Sequence, residues 1–231
     1  MKFKNPAKVL LIVEIQVVLV LLILGAIKLN SLEEKVFNTN RFLYEIYSDQ
    51  RVDKLNKVRD SDIVIGGQDA CLTLFIYSRF DCPACNDFFE TNYPQLKKDF
   101  IDEGKIKVVF RYLVHASKKN TLIATKYAYY ANSLGKFNQF IDETTDRFPE
   151  LDTSMLNKVI SKIRENDNNL ETFISDPILE KKLLKDAREY RKAKITSTPT
   201  IFVNNQIVLG YSNYKRLKEI IDSELQSINC E

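Results

Sequence analysis

The feature that most constrains the fold is a pair of cysteines, Cys82 and Cys85, set between two strand-like segments. Residues 72–77 (LTLFIY) are an apolar, aromatic run of strand length, and residues 105–114 (KIKVVFRYLV) are a second. Residues 83–100, which lie between them, have helical spacing. A strand, a helix and a second strand in this order form a β-α-β unit, which builds a parallel pair of strands. The sequence therefore predicts an α/β protein with the two cysteines where the first strand gives way to the helix.

The rest of the chain adds helices and a short hairpin. Residues 117–193 contain no strand-like run, and their helical spacing is interrupted only by glycine and proline turns, which predicts an all-helical insertion. Residues 200–203 and 206–209 flank an Asn-Asn turn and predict a hairpin, and residues 214–228 predict a final helix. Because 231 residues with 45% apolar composition can bury one full core, we assign one domain to residues 61–231.

The first 60 residues are predicted to anchor and link this domain. Residues 9–27 are nearly all apolar and reach ~28 Å as a helix, close to the hydrocarbon thickness of a bilayer. Lysines precede this run and acidic residues follow it, so residues 1–8 are predicted to be a cytoplasmic tail. We therefore predict a single-pass inner-membrane protein with one transmembrane signal anchor and a periplasmic or extracytoplasmic domain. A cleaved signal peptide is the alternative. Residues 28–60 have the pattern of a helical linker, either a solvated spacer or a short coiled coil.

The charge distribution excludes one class of partner. The formal net charge of +3 is carried by residues 1–30, which hold four lysines and one glutamate, and the remaining charges cancel. Nucleic-acid binding depends on clustered lysine and arginine side chains. We therefore expect no nucleic-acid partner.

The motif Cys82-Pro83-Ala84-Cys85 is typical of thiol redox chemistry. Two cysteines three residues apart on a helix lie on one face, within reach of a disulfide bond. Cys82 falls at the first turn, where unpaired backbone N–H groups and the helix dipole favour thiolate over thiol. We predict that Cys82 is the nucleophile and that Cys85, one turn deeper, resolves the mixed disulfide. Pro83 suits the first helical position because it has no N–H to leave unpaired.

Zinc is the main competing interpretation of two cysteines at this spacing. A zinc site needs two further ligands, and the strand that starts after Cys71 separates that residue from the motif by about 20 Å. Only His115 and Cys230 remain, so we expect no metal and no cofactor other than the redox-active Cys82–Cys85 disulfide. His115 itself is interpreted as a structural or surface histidine.

A second element follows the helical insertion. Thr198-Pro199-Thr200 leads directly into the strand TIFV, and a proline at a strand start is compatible with a cis peptide bond. The order of strand, CPAC helix, strand, helical block, TPT strand and last helix resembles the DsbA-type proteins of the thioredoxin fold, over about residues 61–228. This resemblance implies thiol:disulfide exchange with exported client proteins that contain cysteines.

The resemblance also implies roles for particular residues and partners. Thr198 and Pro199 would bind the client backbone, Pro83 and Ala84 would support the active site, and the helical insertion would lie beside it as a lid. An enzyme of this family that acts as an oxidase is re-oxidised by a quinone-linked membrane partner, either DsbB-like or vitamin K epoxide reductase-like.

Two positions depart from the family pattern. The dipeptide between the cysteines is Pro-Ala, where the strongest oxidases have Pro-His, so a weaker oxidant is expected. Ile76 occupies the position, six before the first cysteine, that often holds a buried carboxylate. Proton transfer at Cys85 must therefore use water or another group.

The remaining two cysteines, Cys71 and Cys230, are predicted to lie at the end of the domain opposite the motif. In a thioredoxin topology the first strand runs toward the active site and the last helix runs away from it. A structural disulfide between them is one hypothesis, and two unpaired thiols are the other.

Three functions are compatible with these features. The first is a protein disulfide oxidase, and the second is a disulfide reductase or isomerase. The third is a membrane-tethered binding or chaperone module. The intact cysteine pair favours the enzymes, because an adaptor need not keep it.

Overall fold

The computed structural model describes residues 18–32, 35, 56–115, 117–164, 169–195, 197–204, 206–210 and 213–228. It divides into two units, residues 1–43 and residues 44–231. The first unit contributes one described helix, α1, over residues 18–32. All other described elements belong to the second unit.

The predicted membrane location is wrong for the part of the chain that the structure describes. None of the described helices is long and apolar enough to cross a membrane. The single-pass inner-membrane assignment is corrected on this finding. The predicted tail, residues 1–8, lies outside the described residues, as do residues 9–17 and most of the predicted linker, residues 28–60.

The second unit is built on one five-stranded sheet. The strands are β1 (Ile63–Gly66), β2 (Leu72–Ser78), β3 (Ile106–Tyr112), β4 (Thr200–Val203) and β5 (Gln206–Leu209). Their order across the sheet is β1-β3-β2-β4-β5. The central pair, β2 and β3, is parallel, and the other three pairings are antiparallel. The β-α-β unit and the α/β class predicted from the sequence are therefore confirmed.

Helices cover the sheet and form the insertion. Helix α2 follows β2 and consists of the α-helical segments Pro83–Asp87 and Tyr93–Leu96, which alternate with the π-helical segments Phe88–Asn92 and Lys97–Ile101. Between β3 and β4 the described helices are α3 (Lys119–Ser133), α4 (Phe137–Thr144), α5 (Thr153–Ile163), α6 (Leu170–Ile174) and α7 (Pro177–Lys192), with a 3₁₀ turn at Phe148–Glu150. The last helix, α8, is Tyr214–Ser227.

The alternation of side chains along β2 divides the core in two. Leu74 and Ile76 point to the face of the sheet that α2 covers, where they join the larger apolar cluster with Cys85. Phe75 and Tyr77 point to the opposite face and belong to a smaller cluster. Both faces of the sheet are thus buried, which explains why the sequence of β2 is almost continuously apolar.

The second face of the sheet also buries an ion pair. The Arg111 guanidinium on β3 donates to both carboxylate oxygens of Asp62, from Nε at 3.1 Å and from Nη2 at 2.7 Å. The same guanidinium donates to the Tyr77 hydroxyl at 2.9 Å and to the Lys57 carbonyl at 2.6 Å, and it lies 5.0 Å from the Phe75 ring centroid. The side chains of Arg111 and Asp62 are 0% and 1% exposed. Each charge is therefore stabilised by the other and not by solvent.

Candidate active site

The first cysteine of the motif stands at the carboxyl end of the sheet's central strand. β2 ends at Ser78, three residues intervene, and Cys82 then caps α2 with an extended backbone (φ −112°, ψ 111°). Pro83 occupies the first helical position, where a missing N–H costs nothing. A buried strand on one side and a capped helix on the other therefore fix the position of Cys82.

The two sulfurs of the motif lie within one helical turn of each other as free thiols. The Cys85 N–H donates to Cys82 Sγ at 3.3 Å, so the first sulfur acts as the N-cap acceptor. Cys82 keeps 8% of its surface exposed, whereas Cys85 has none. The first sulfur can therefore be reached from outside, and the second can be reached only through the first.

The second predicted element lies directly against Cys82. β4 runs antiparallel to β2 with Thr200 opposite Tyr77, so the residues just before β4 reach the same edge of the sheet as the motif. The Thr198–Pro199 peptide bond is cis. The Cys82 thiol donates to the Thr198 carbonyl oxygen at 3.2 Å. The structure therefore brings Thr198 to Cys82 across more than a hundred residues of sequence, as the family resemblance implied.

The surroundings of Cys82 favour its thiolate. Its pKa is lowered to about 6, chiefly by a hydrogen bond from the Cys85 thiol, and burial opposes this effect. The Thr198 hydroxyl, the Cys85 backbone N–H and the positive charge of Arg79 lower the pKa further. The Thr198 carbonyl, in contrast, is an acceptor and can bond only the protonated thiol. Most Cys82 side chains are thus thiolates at neutral pH.

Cys85 is held in the opposite state. Burial raises the pKa of its thiol far above the ordinary value, and the neighbouring Cys82 adds to the increase. The Ser78 and Thr198 hydroxyls act in the other direction but do not offset burial. One partly exposed thiolate next to one fully buried thiol is the arrangement needed for attack on a disulfide followed by internal resolution.

A small charged cluster lies beside the motif. The Asp81 carboxylate contacts Arg79 Nε at 2.8 Å and Lys118 Nζ at 3.2 Å. Burial raises the pKa of Asp81, but these two cations outweigh it, so the pKa is lowered overall. Arg79 acts on Cys82 as well, and supplies part of the positive charge that a histidine between the cysteines would have provided.

The helical insertion reaches the same region. Asn86, on the first turn of α2, accepts a hydrogen bond from the Phe148 N–H at 3.3 Å. The Phe80 ring, two residues before Cys82, lies 4.8 Å from the Phe148 ring and 4.4 Å from Tyr112. The insertion therefore packs beside the segment that carries the motif.

Other sequence predictions fall elsewhere. Cys71 is held in a disulfide bond, but Cys230 lies outside the described residues, so their pairing stays a prediction. His115 is exposed, and its Nδ1 lies 2.7 Å from the Ser117 hydroxyl, which is consistent with a surface residue. Ala84 is half-buried next to the cysteines. Within the described residues, no group of three or more His, Cys, Asp or Glu side chains is placed to hold a metal ion.

Sequence reasoning missed two residues of this site, Ser78 and Arg79. Both lie between the apolar run of β2 and the motif, in a segment that was interpreted only as the end of a strand and a loop. The available signal was a polar residue at position 78, where the inward-facing alternation of Leu74 and Ile76 continues. Arg79 offered no comparable signal, because charged loop residues are usually solvated.

Comparison with known proteins agrees with this geometry. A family model described as Thioredoxin matches residues 59–223. The probable disulfide bond formation protein D of Bacillus anthracis is 29% identical over 197 residues, which cover 80% of this chain and 88% of that protein. Disulfide bond formation protein D of Bacillus subtilis is 27% identical over 71% of this chain and 77% of its own length. The crystal structure of oxidised BdbD from Bacillus subtilis is similar with a TM-score of 0.58 and 25% identity, over 72% of this chain and 94% of that one.

The family match spans most of the chain and contains both the CPAC motif and the Thr198–Pro199 segment. The two relatives align with this chain over most of their own length. The chain therefore belongs to the thioredoxin family, as a thiol:disulfide oxidoreductase of the DsbA type.

Proposed function

We propose that the protein acts as an oxidase that introduces disulfide bonds into client proteins by passing on its own Cys82–Cys85 disulfide. The observation that carries this proposal is the contrast between the two sulfurs. Cys82 is partly exposed and stabilised as a thiolate, whereas Cys85 is fully buried and held as a thiol. A stabilised Cys82 thiolate is a good leaving group, which favours release of an oxidised client and a reduced enzyme.

The reaction needs only the sulfurs of the enzyme and of the client. A client thiolate attacks Cys82 Sγ of the disulfide, the S–S bond breaks, and Cys85 leaves as a thiolate that takes up a proton. A second client thiolate then attacks the client sulfur of the mixed disulfide and expels the Cys82 thiolate. The client loses two electrons, the enzyme gains them, and no other cofactor takes part.

The strength of this oxidant is expected to be intermediate. A nucleophilic cysteine pKa of about 6 lies between those of thioredoxin, about 7, and DsbA, about 3.5. Since a lower pKa stabilises the reduced enzyme, the protein should oxidise clients more readily than thioredoxin and less readily than DsbA. The names of its relatives, which refer to disulfide bond formation, favour the oxidase over a reductase or an isomerase.

Clients, location and electron acceptor follow from the same proposal. The Thr198 carbonyl next to Cys82 can pair with the backbone of an extended client segment. We infer that the enzyme works outside the cytoplasm, because Cys71 forms a disulfide bond and such bonds persist in oxidising compartments. The clients would then be exported proteins with cysteines. A quinone-linked partner, DsbB-like or vitamin K epoxide reductase-like, would restore the Cys82–Cys85 disulfide.

Oxidative refolding of a reduced, unfolded client tests the proposal. Oxidised protein should form client disulfides at least about tenfold faster than an equal concentration of oxidised glutathione, with one enzyme disulfide consumed per client disulfide formed. The Cys82→Ser variant, which keeps the N-cap acceptor but lacks the nucleophile, should give only the background rate. Client oxidation at the background rate by the unmodified protein would refute the oxidase proposal.

A further inference from the structure

The buried hydroxyl of Ser78, at the end of β2, has no hydrogen-bond partner among the described residues. Ser78 is 0% exposed, and its Oγ makes no hydrogen bond within normal limits to any described residue. A buried hydroxyl without a partner loses its bonds to water and gains none in exchange, which destabilises the protein. Such a group calls for an explanation in function.

The position of Ser78 places its side chain on the side of the sheet that carries Cys85. Side chains along β2 alternate, so Ser78 points to the same face as Leu74 and Ile76, and these belong to the apolar cluster that contains Cys85. The Ser78 hydroxyl also lowers the pKa of the Cys85 thiol against the effect of burial. The Ser78 hydroxyl is therefore close enough to Cys85 Sγ to favour the thiolate. In the reduced protein, however, the two groups do not meet the geometric criteria of a hydrogen bond.

Cys85 must pass through its thiolate in each reaction cycle. When the Cys82–Cys85 disulfide opens, Cys85 leaves with a negative charge inside an apolar cluster, and in the reverse step it must lose its proton before it attacks. Ile76, whose position holds a carboxylate in many related folds, has no group that can assist. A nearby hydroxyl can donate a hydrogen bond to the anion without carrying a charge itself.

Two other residues, Cys82 and Thr198, act on the Cys85 thiol, and both already have roles in the site. Cys82 is its reaction partner, and the Thr198 hydroxyl also lowers the pKa of Cys82. Tyr112, opposite Ser78 on β3, has a buried hydroxyl without a hydrogen bond to a described residue, and its ring stacks on Phe80. The charge on Cys85 raises the pKa of Tyr112, so the two groups are coupled, but the Tyr112 hydroxyl, unlike that of Ser78, is not among the groups that lower the pKa of the Cys85 thiol. It is therefore the natural comparison for Ser78.

We propose that Ser78 is the hydrogen-bond donor that stabilises the Cys85 thiolate while the Cys82–Cys85 disulfide opens and closes. Ser78 stabilises the negative charge but does not take up the proton, and its hydroxyl, unpaired in the reduced protein, becomes hydrogen-bonded when Cys85 is charged. This inference rests on the proposed exchange reaction and adds a residue to it.

The test separates the two chemical steps with oxidised glutathione as the probe. In the first step the Cys82 thiolate attacks glutathione disulfide, forms the mixed disulfide and releases one glutathione thiolate. In the second step Cys85 loses its proton, attacks Cys82 Sγ and releases the second glutathione. Acid quenching and mass spectrometry of intact protein follow the mixed disulfide over time.

Ser78→Ala should slow the second step about tenfold, the effect of one hydrogen bond to a charged group, and leave the first step unchanged. Tyr112→Phe should leave both steps unchanged. Equal slowing of both steps in Ser78→Ala would indicate a structural role and overturn the proposal, as would a second step at the rate of the unmodified protein.

Two matched variants remove the effect of side-chain shape. Threonine and valine have nearly the same size and differ by the hydroxyl, so Ser78→Thr should resolve the mixed disulfide about tenfold faster than Ser78→Val. Equal rates would contradict the proposal even if Ser78→Ala does not fold. If the unmodified protein forms no mixed disulfide at all, the exchange reaction itself fails, which is a different result from normal formation with unaffected resolution.

Discussion

Replacement of Cys85 by alanine is expected to turn the protein into a trap for its clients. Cys82 stays partly exposed, and although loss of the Cys85 hydrogen bond raises the pKa of Cys82, the remaining thiolate should still attack client disulfides. Cys85 is the group that resolves the adduct from one helical turn away, and intramolecular attack of this kind has a very high effective concentration. Without it, the lifetime of the mixed disulfides should increase by roughly 10³-fold, to minutes or hours.

The trap is measured by non-reducing electrophoresis and mass spectrometry of cells that produce the variant. Reductant should release the adducts, and the linked peptide should contain Cys82. The matched control, Cys82→Ala with Cys85→Ala, should form no adducts. Unchanged recovery of the same partners with the double variant would instead support a binding or chaperone module.

Replacement of Arg111 by methionine is expected to cause the largest loss of stability of any single substitution considered. Methionine is similar in length and can pack near Phe75, but it leaves the Asp62 carboxylate buried without its cation. Removal of one partner from a buried ion pair costs about 3–5 kcal/mol. For a domain of this size the melting temperature should fall by roughly 6–20 °C, as measured by calorimetry or circular dichroism.

Two controls distinguish this effect from a general loss of charge. Lys97 pairs with Asp102 at 2.6 Å, but the two side chains are 35% and 52% exposed, so Lys97→Met should change stability by less than about 1 kcal/mol. Addition of Asp62→Leu to Arg111→Met should recover most of the lost stability, because no unpaired charge remains buried. A drop of less than about 1 kcal/mol in Arg111→Met alone would show that solvent reaches the carboxylate.

Much of the fold could be predicted because its signals are local. The aromatic run of residues 72–77 extends by only one residue to give β2, since both faces of that strand are buried. The predicted hairpin pairs residues 200–203 with 206–209, because the turn between them sets the register. The motif at the start of α2 was identifiable because Pro83 marks the first helical position.

The parts that could not be predicted depend on contacts between distant residues. The Arg111–Asp62 pair joins residues 49 positions apart, and no pattern in the sequence links them. The low pKa of Cys82 was attributed to the start of the helix, but the largest contribution comes from the Cys85 thiol. The membrane anchor was inferred from hydropathy, whereas none of the helices that the structure describes is long and apolar enough to cross a membrane.

The pH dependence of Cys82 alkylation by iodoacetamide tests the central claim most directly, with each labelled cysteine identified by mass spectrometry. Because only the thiolate reacts, a lowered pKa means that the rate should rise tenfold per pH unit below pH 6 and level off above it. We expect a midpoint at about pH 6, with Cys85 unlabelled throughout. A midpoint near the ordinary cysteine pKa of about 8.5, or labelling of Cys85 before Cys82, would contradict a stabilised Cys82 thiolate beside a buried Cys85 thiol.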